Sequence, residues 1–122
     1  MLKVFAVSAV AALLFAGSAF AQSGAYVWTG MGVNVPGSSK CPTYKMTINV
    51  TVAGDSVKAK FLQEGRTERH FETTKDANGN FQTVATVGGG NVIQVSGLIN
   101  GPESKVLLDG YCKFGGIMVK MK

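Results

Sequence analysis

Between residues 44 and 53 the chain alternates without interruption. Tyr44, Met46, Ile48, Val50 and Val52 are separated by Lys45, Thr47, Asn49, Thr51 and Ala53. Successive side chains of a strand point to opposite faces, so this period puts one apolar face on a core and one polar face in water. A helix would scatter the same apolar set around its axis. The pattern recurs along the chain. Val57, Ala59 and Phe61 oppose Lys58 and Lys60, and Phe81, Thr83, Ala85 and Val87 share a side. Over residues 25–35, Val27, Thr29, Met31, Val33 and Val35 fall on one face, and Tyr26, Trp28, Gly30 and Gly32 on the other. Glycines within a strand signal a bulge or a close crossing.

Turn signals separate these runs. Gly54–Asp55 leads into the strand carrying Phe61, and Glu64–Gly65–Arg66 leads into a strand over 67–74. Asp76–Ala77–Asn78–Gly79 is a strong turn, because Asn-Gly tolerates positive φ. Further strands are predicted over 80–87, 92–99, 105–111 and 117–121, with turns at Gly88–Gly89–Gly90–Asn91 and Asn100–Gly101–Pro102–Glu103. The chain thus reads as all-β, with seven or eight short strands. Short connections make sequence neighbours pair antiparallel. The expected architecture is an up-and-down meander forming a small barrel or half-barrel. A two-sheet sandwich is the alternative.

Residues 1–21 read as a cleaved export signal. Lys3 supplies a basic start, Val4 to Ala16 is apolar except for Ser8, and Ala19–Phe20–Ala21 offers a small-x-small cleavage pattern. The apolar run is too short to span a bilayer. Residues 22–122 then form one domain with no transmembrane segment, and a bacterial periplasmic or secreted location follows. The whole chain carries a net charge of +5, and loss of Lys3 with the signal leaves +4. Charges of both signs mix, as in Glu64, Arg66, Glu68, Arg69 and Glu72, with none of the dense basic stripe that nucleic acid demands.

Two cysteines in an exported chain point to one bridge, Cys41 to Cys112. Neither sits in a C-x-x-C pair and no histidine accompanies either, so a structural role is expected rather than a redox or metal role. Closing a loop of about 70 residues stabilises the fold by on the order of 4 kcal/mol in the chain-entropy model. The bridge would tie the first strands to the last and shield sheet edges.

The succession Trp28, Cys41, the alternating run from Tyr44 to Val52, the turns Asn78–Gly79 and Gly88–Gly90, then Cys112 ahead of Gly115–Gly116, resembles a group of small exported alphaproteobacterial all-β proteins of uncharacterised function. The chain carries Phe114 and Ile117 after Cys112 where that group has a second tryptophan. The resemblance implies the fold and bacterial export. More distantly, the chain is similar to small periplasmic barrels that inhibit proteases or lysozymes, with no inhibitor motif carried over.

No catalytic constellation is predicted, and no cofactor. Glu68, His70 and Glu72 stand at i, i+2 and i+4 on one strand face, a pattern that would need ligands from elsewhere to hold a metal or would serve acid–base chemistry; cross-strand pairing with Lys58, Lys60 or Arg69 is the simpler expectation. No serine lies in a Gly-x-Ser-x-Gly elbow, and no helix follows Gly88–Gly90 to make a phosphate cradle. Met118 and Met121 point to opposite strand faces, and Met31 and Met46 read as core filler.

Two features suit binding. One is an aromatic set that includes Trp28 and Tyr44, available to an interior ligand. The other is the basic cluster Lys58, Lys60, Arg66 and Arg69 around one hairpin, suited to an acidic partner or an anionic glycan. The sequence therefore predicts a non-catalytic exported barrel that binds a partner protein or small ligand. The alternatives are an inhibitor of an exported hydrolase, acting through a hairpin or residues 22–26, and a metal-assisted enzyme on Glu68, His70 and Glu72.

Overall fold

A computed structural model describes residues 23–37 and 39–121; the expected export signal lies outside them. Nine strands follow one another in the described residues, all antiparallel to their ladder partners. They are β1 (Gly24–Met31), β2 (Lys45–Ala53), β3 (Ser56–Gln63), β4 (Arg69–Thr74), β5 (Asn80–Thr86), β6 (Val92–Leu98), β7 (Lys105–Asp109), β8 (Lys113–Ile117) and β9 (Val119–Met121). The five-stranded sheet has the order β4-β3-β2-β1-β9 and the four-stranded sheet the order β5-β6-β7-β8. The all-β meander expected from the alternation is present.

The alternating residues face as their period requires. Met46, Ile48, Val50 and Val52 of β2 are buried together with Val57, Ala59 and Phe61 of β3. Opposite them lie Phe81 and Ala85 of β5, Val95 of β6, and Val106 and Leu108 of β7. Phe71 of β4 bridges the two groups, 6.4 Å from Phe61 and 6.2 Å from Phe81 between ring centroids. Offset rings at such distances add to the burial energy of the core.

The barrel does not close. β4 and β5 form no ladder, and the sheet is interrupted between them. The Asp76–Gly79 turn fixes only one end of this seam. Asp76 Oδ1 accepts the backbone N–H groups of Asn78 and Asn80 at 2.9 and 3.0 Å, and Gly79 takes φ +90. Beyond the turn Thr73 Oγ1 reaches the Gln82 carbonyl at 3.4 Å. Further along, β4 starts only at Arg69, after an irregular stretch from the end of β3 at Gln63, so the two strands have no paired backbone at the other end. The opposite seam is joined more fully. Val33 and Lys113 exchange backbone hydrogen bonds of 2.8 and 3.1 Å, and β9 pairs with β1.

Further expectations from the sequence need correction. The final strand is two strands, because Gly115–Gly116 lies inside β8 rather than before it. Gly115, at φ +134, has the Val106 carbonyl where a Cβ would stand, so the backbone of β8 lies against β7 there. Met31 is 48% exposed on the outer face of β1; its strand buries the Tyr26 face instead. The predicted strand over 25–35 ends at Met31, after which Gly32 approaches the Cys41 carbonyl and the Phe114 ring too closely for a side chain.

Candidate functional site

A meander places alternate turns at the same end of the molecule. The β1–β2, β3–β4, β5–β6 and β7–β8 connections therefore converge at one end. There the unpaired β4–β5 seam opens into a cleft of about 1030 Å³ between the sheets. Its floor is made by buried Met46, Phe61, Ile93, Leu108 and Phe114. The volume lies at the upper end of the range of small-molecule sites.

Each lip has a sequence cause. On the first, Gly65, Arg66 and Thr67 of the β3–β4 turn lead into Arg69. Arg69 shares the inward face of β4 with Phe71, and its guanidinium extends toward Gly88 across the seam; a methyl placed on Gly88 would stand 3.7 Å from Nη2. On the second lip, Gly88–Gly90 makes a kinked turn, with Gly89 and Gly90 in the left-handed region at φ +72 and +78. Asn91 closes it by donating Nδ2 to the Gly88 carbonyl at 3.1 Å. Val87, Gly88, Asn91 and Val92 line this side of the mouth. The third lip is the β7–β8 hairpin, Gly110–Tyr111–Cys112. Tyr111 is half exposed and donates its hydroxyl to Gln63 Oε1 at 2.7 Å. Its ring meets Tyr44 edge-on at 6.3 Å.

The disulfide lies at this end. Cys41 begins a 3-10 turn, Cys41–Thr43, and its sulfur bonds Cys112 with a Cα separation of 5.6 Å. Both cysteines are buried. Cys41 is further anchored by its N–H, which donates to Asn34 Oδ1 at 3.2 Å. The bridge expected from the sequence thus joins the connection leaving β1 in one sheet to the hairpin of the other.

The cleft carries two guanidinium groups and no carboxylate among its lining residues. Neither the Arg66 nor the Arg69 side chain has a hydrogen-bond or ion-pair partner among the described residues.

The residues singled out from the sequence divide between two regions. Arg66 and Arg69 line the cleft, and Tyr44 supports it through Tyr111. Lys58 and Lys60 project from the outer face of β3, away from the cleft. Lys58 lies 3.8 Å from Glu72, and Lys60 faces His70 across the β3–β4 ladder. The basic cluster is therefore two pairs on different surfaces. Trp28 is half-buried on β1 against Gly30 and Gly116, filling space between β1 and β8. His70 and Glu72 are exposed, and no three His, Cys, Asp or Glu side chains converge among the described residues. Gly24 to Tyr26, within the segment considered for inhibition, is paired in β1, and Tyr26 is buried.

Gln63, Ile93 and Leu108 are site residues that the sequence does not single out. Gln63 does carry a signal: it continues the apolar face of Val57, Ala59 and Phe61, and a polar residue at such a position marks where the core meets an opening.

No protein family matches the chain, and neither a curated protein nor a solved structure is similar to it at a significant level.

Proposed function

We propose that this chain is a non-catalytic exported binding protein of bacterial origin, periplasmic or secreted, and that its cleft between the sheets receives a small, largely apolar molecule. One observation carries the reading: about 1030 Å³ of space with an apolar floor at the end of a sandwich whose lips are held by a disulfide and a tyrosine hydrogen bond. Binding sites combine an apolar lining with a few placed polar groups in this way. Export is supported by the signal-like sequence of residues 1–21 and by the disulfide, which forms in oxidising compartments. No helix among the described residues is long and apolar enough to cross a membrane.

The test uses the uncharged fluorophore N-phenyl-1-naphthylamine. The folded protein takes it up at one per chain with a blue-shifted emission, and Val92→Trp, which adds bulk to an exposed lining position, weakens uptake at least tenfold. No uptake by the wild type, or equal uptake by the variant, overturns the reading.

A further inference from the structure

The charge at the mouth of this cleft narrows the ligand class. We propose that the cleft selects an anionic amphiphile, a linear apolar chain ending in a carboxylate or phosphate, with Arg66 and Arg69 receiving the head and the apolar floor receiving the tail; this rests on the cleft being the binding site. Surface guanidinium groups commonly find a carboxylate, and even Lys58 on the adjacent face has Glu72. Arg66 and Arg69 have none, although Glu64 and Glu68 are close in sequence. Arg69 is also only partly exposed, on the inward face of its strand above the Phe61–Phe71 pair. A guanidinium on that partly covered face has no anion beside it among the described residues. A bound anion would supply the missing charge-assisted hydrogen bonds, and the planar fork suits carboxylate and phosphate oxygens.

The opposite lip agrees with this placement. Gly88 lines the cleft beside Arg69 and brings backbone rather than an acidic side chain to the guanidinium. Behind the mouth the apolar side chains of Phe61, Ile93 and Leu108 offer no charge. A hydrophilic anion alone would leave that floor without a contact, and a neutral chain would leave the arginines unpaired. One molecule with both parts answers both.

Displacement of N-phenyl-1-naphthylamine tests this with dodecanoate, dodecyl phosphate and dodecanol, each below its aggregation threshold. At least one of the two anions displaces the fluorophore at roughly tenfold lower concentration than dodecanol, and which one does so identifies the head group. The advantage falls in high salt. It disappears in the Arg66→Gln/Arg69→Gln double variant, whose thermal unfolding stays close to wild type, and it persists in Lys58→Gln/Lys60→Gln. If dodecanol competes as well as both anions while the fluorophore still binds, the head-group assignment is wrong and the cleft reading stands. If the wild type takes up no fluorophore, both fail together.

Discussion

Tyr111 donates its hydroxyl proton to Gln63 Oε1 at 2.7 Å, linking the β7–β8 hairpin of one sheet to the end of β3 in the other. Gln63 is 9% exposed, so its amide oxygen depends on this partner more than a surface amide would. The bond spans the mouth and holds one lip in place.

Tyr111→Phe removes the donor while keeping the ring that meets Tyr44. The expected loss is about 1 kcal/mol, which lowers the melting temperature by about 4–8 °C in a domain of this size. Thermal unfolding by circular dichroism measures it, and a melting temperature equal to wild type contradicts a structural role for the bond.

The Cys41–Cys112 bridge joins residues 71 apart in the chain. The entropy model gives about 4 kcal/mol for a loop of that length, and its loss lowers the melting temperature by on the order of 20 °C. Cys41→Ser/Cys112→Ser measured beside the oxidised wild type tests this. Free thiols titrated in the native protein, or an unchanged transition, count against the bridge as a staple.

Two glycines with positive φ separate backbone strain from steric exclusion. Gly54, at φ +60, has open space where a side-chain methyl would stand, so Gly54→Ala costs about 1–2 kcal/mol for the left-handed backbone. Gly115, at φ +134, meets the Val106 carbonyl directly and has Leu107 Cα 2.9 Å from the same position. Gly115→Ala therefore separates β8 from β7 and costs more than about 3 kcal/mol. Chemical denaturation of both variants gives the comparison; equal losses would mean that β8 does not press on β7 there.

The Lys58–Glu72 pair lies on the surface, its two side chains 65% and 68% exposed. Lys58→Ala is expected to change stability by less than about 1 kcal/mol, and less still in high salt. A larger loss in a denaturation curve would show that the outer face of β3 is held by more than this pair.

Much of the fold is legible in the sequence because the chain keeps a strict period wherever one face is buried. The run from Met46 to Val52 defines both the strand and its inward face, and Asn78–Gly79 defines the turn that carries the chain from β4 to β5. What is not legible depends on long-range approach. Gly115–Gly116 reads locally as a break, and only the backbone of β7 beside it explains a strand there. Closure at the β4–β5 seam is a property of two strand ends, which no local pattern reports. The cleft is half visible. Arg66 and Arg69 stand out as charges, but Lys58 and Lys60 stand out equally. The alternation of β3 already turns Lys58 and Lys60 outward, but that Arg66 and Arg69 meet the β5–β6 and β7–β8 turns is set by how the two sheets pack, which no local pattern reports.

An anionic amphiphile should occupy the cleft end of the sandwich and no other surface. Backbone amide shifts of isotope-labelled protein titrated with dodecanoate and dodecyl phosphate test this most directly. Saturable changes are predicted at Gly65 to Arg69, Gly88 to Val92 and Gly110 to Cys112, with Lys58, Lys60 and the Asp76–Gly79 turn unmoved. Changes centred on the outer face of β3, or none at saturating concentrations of either ligand, would contradict it.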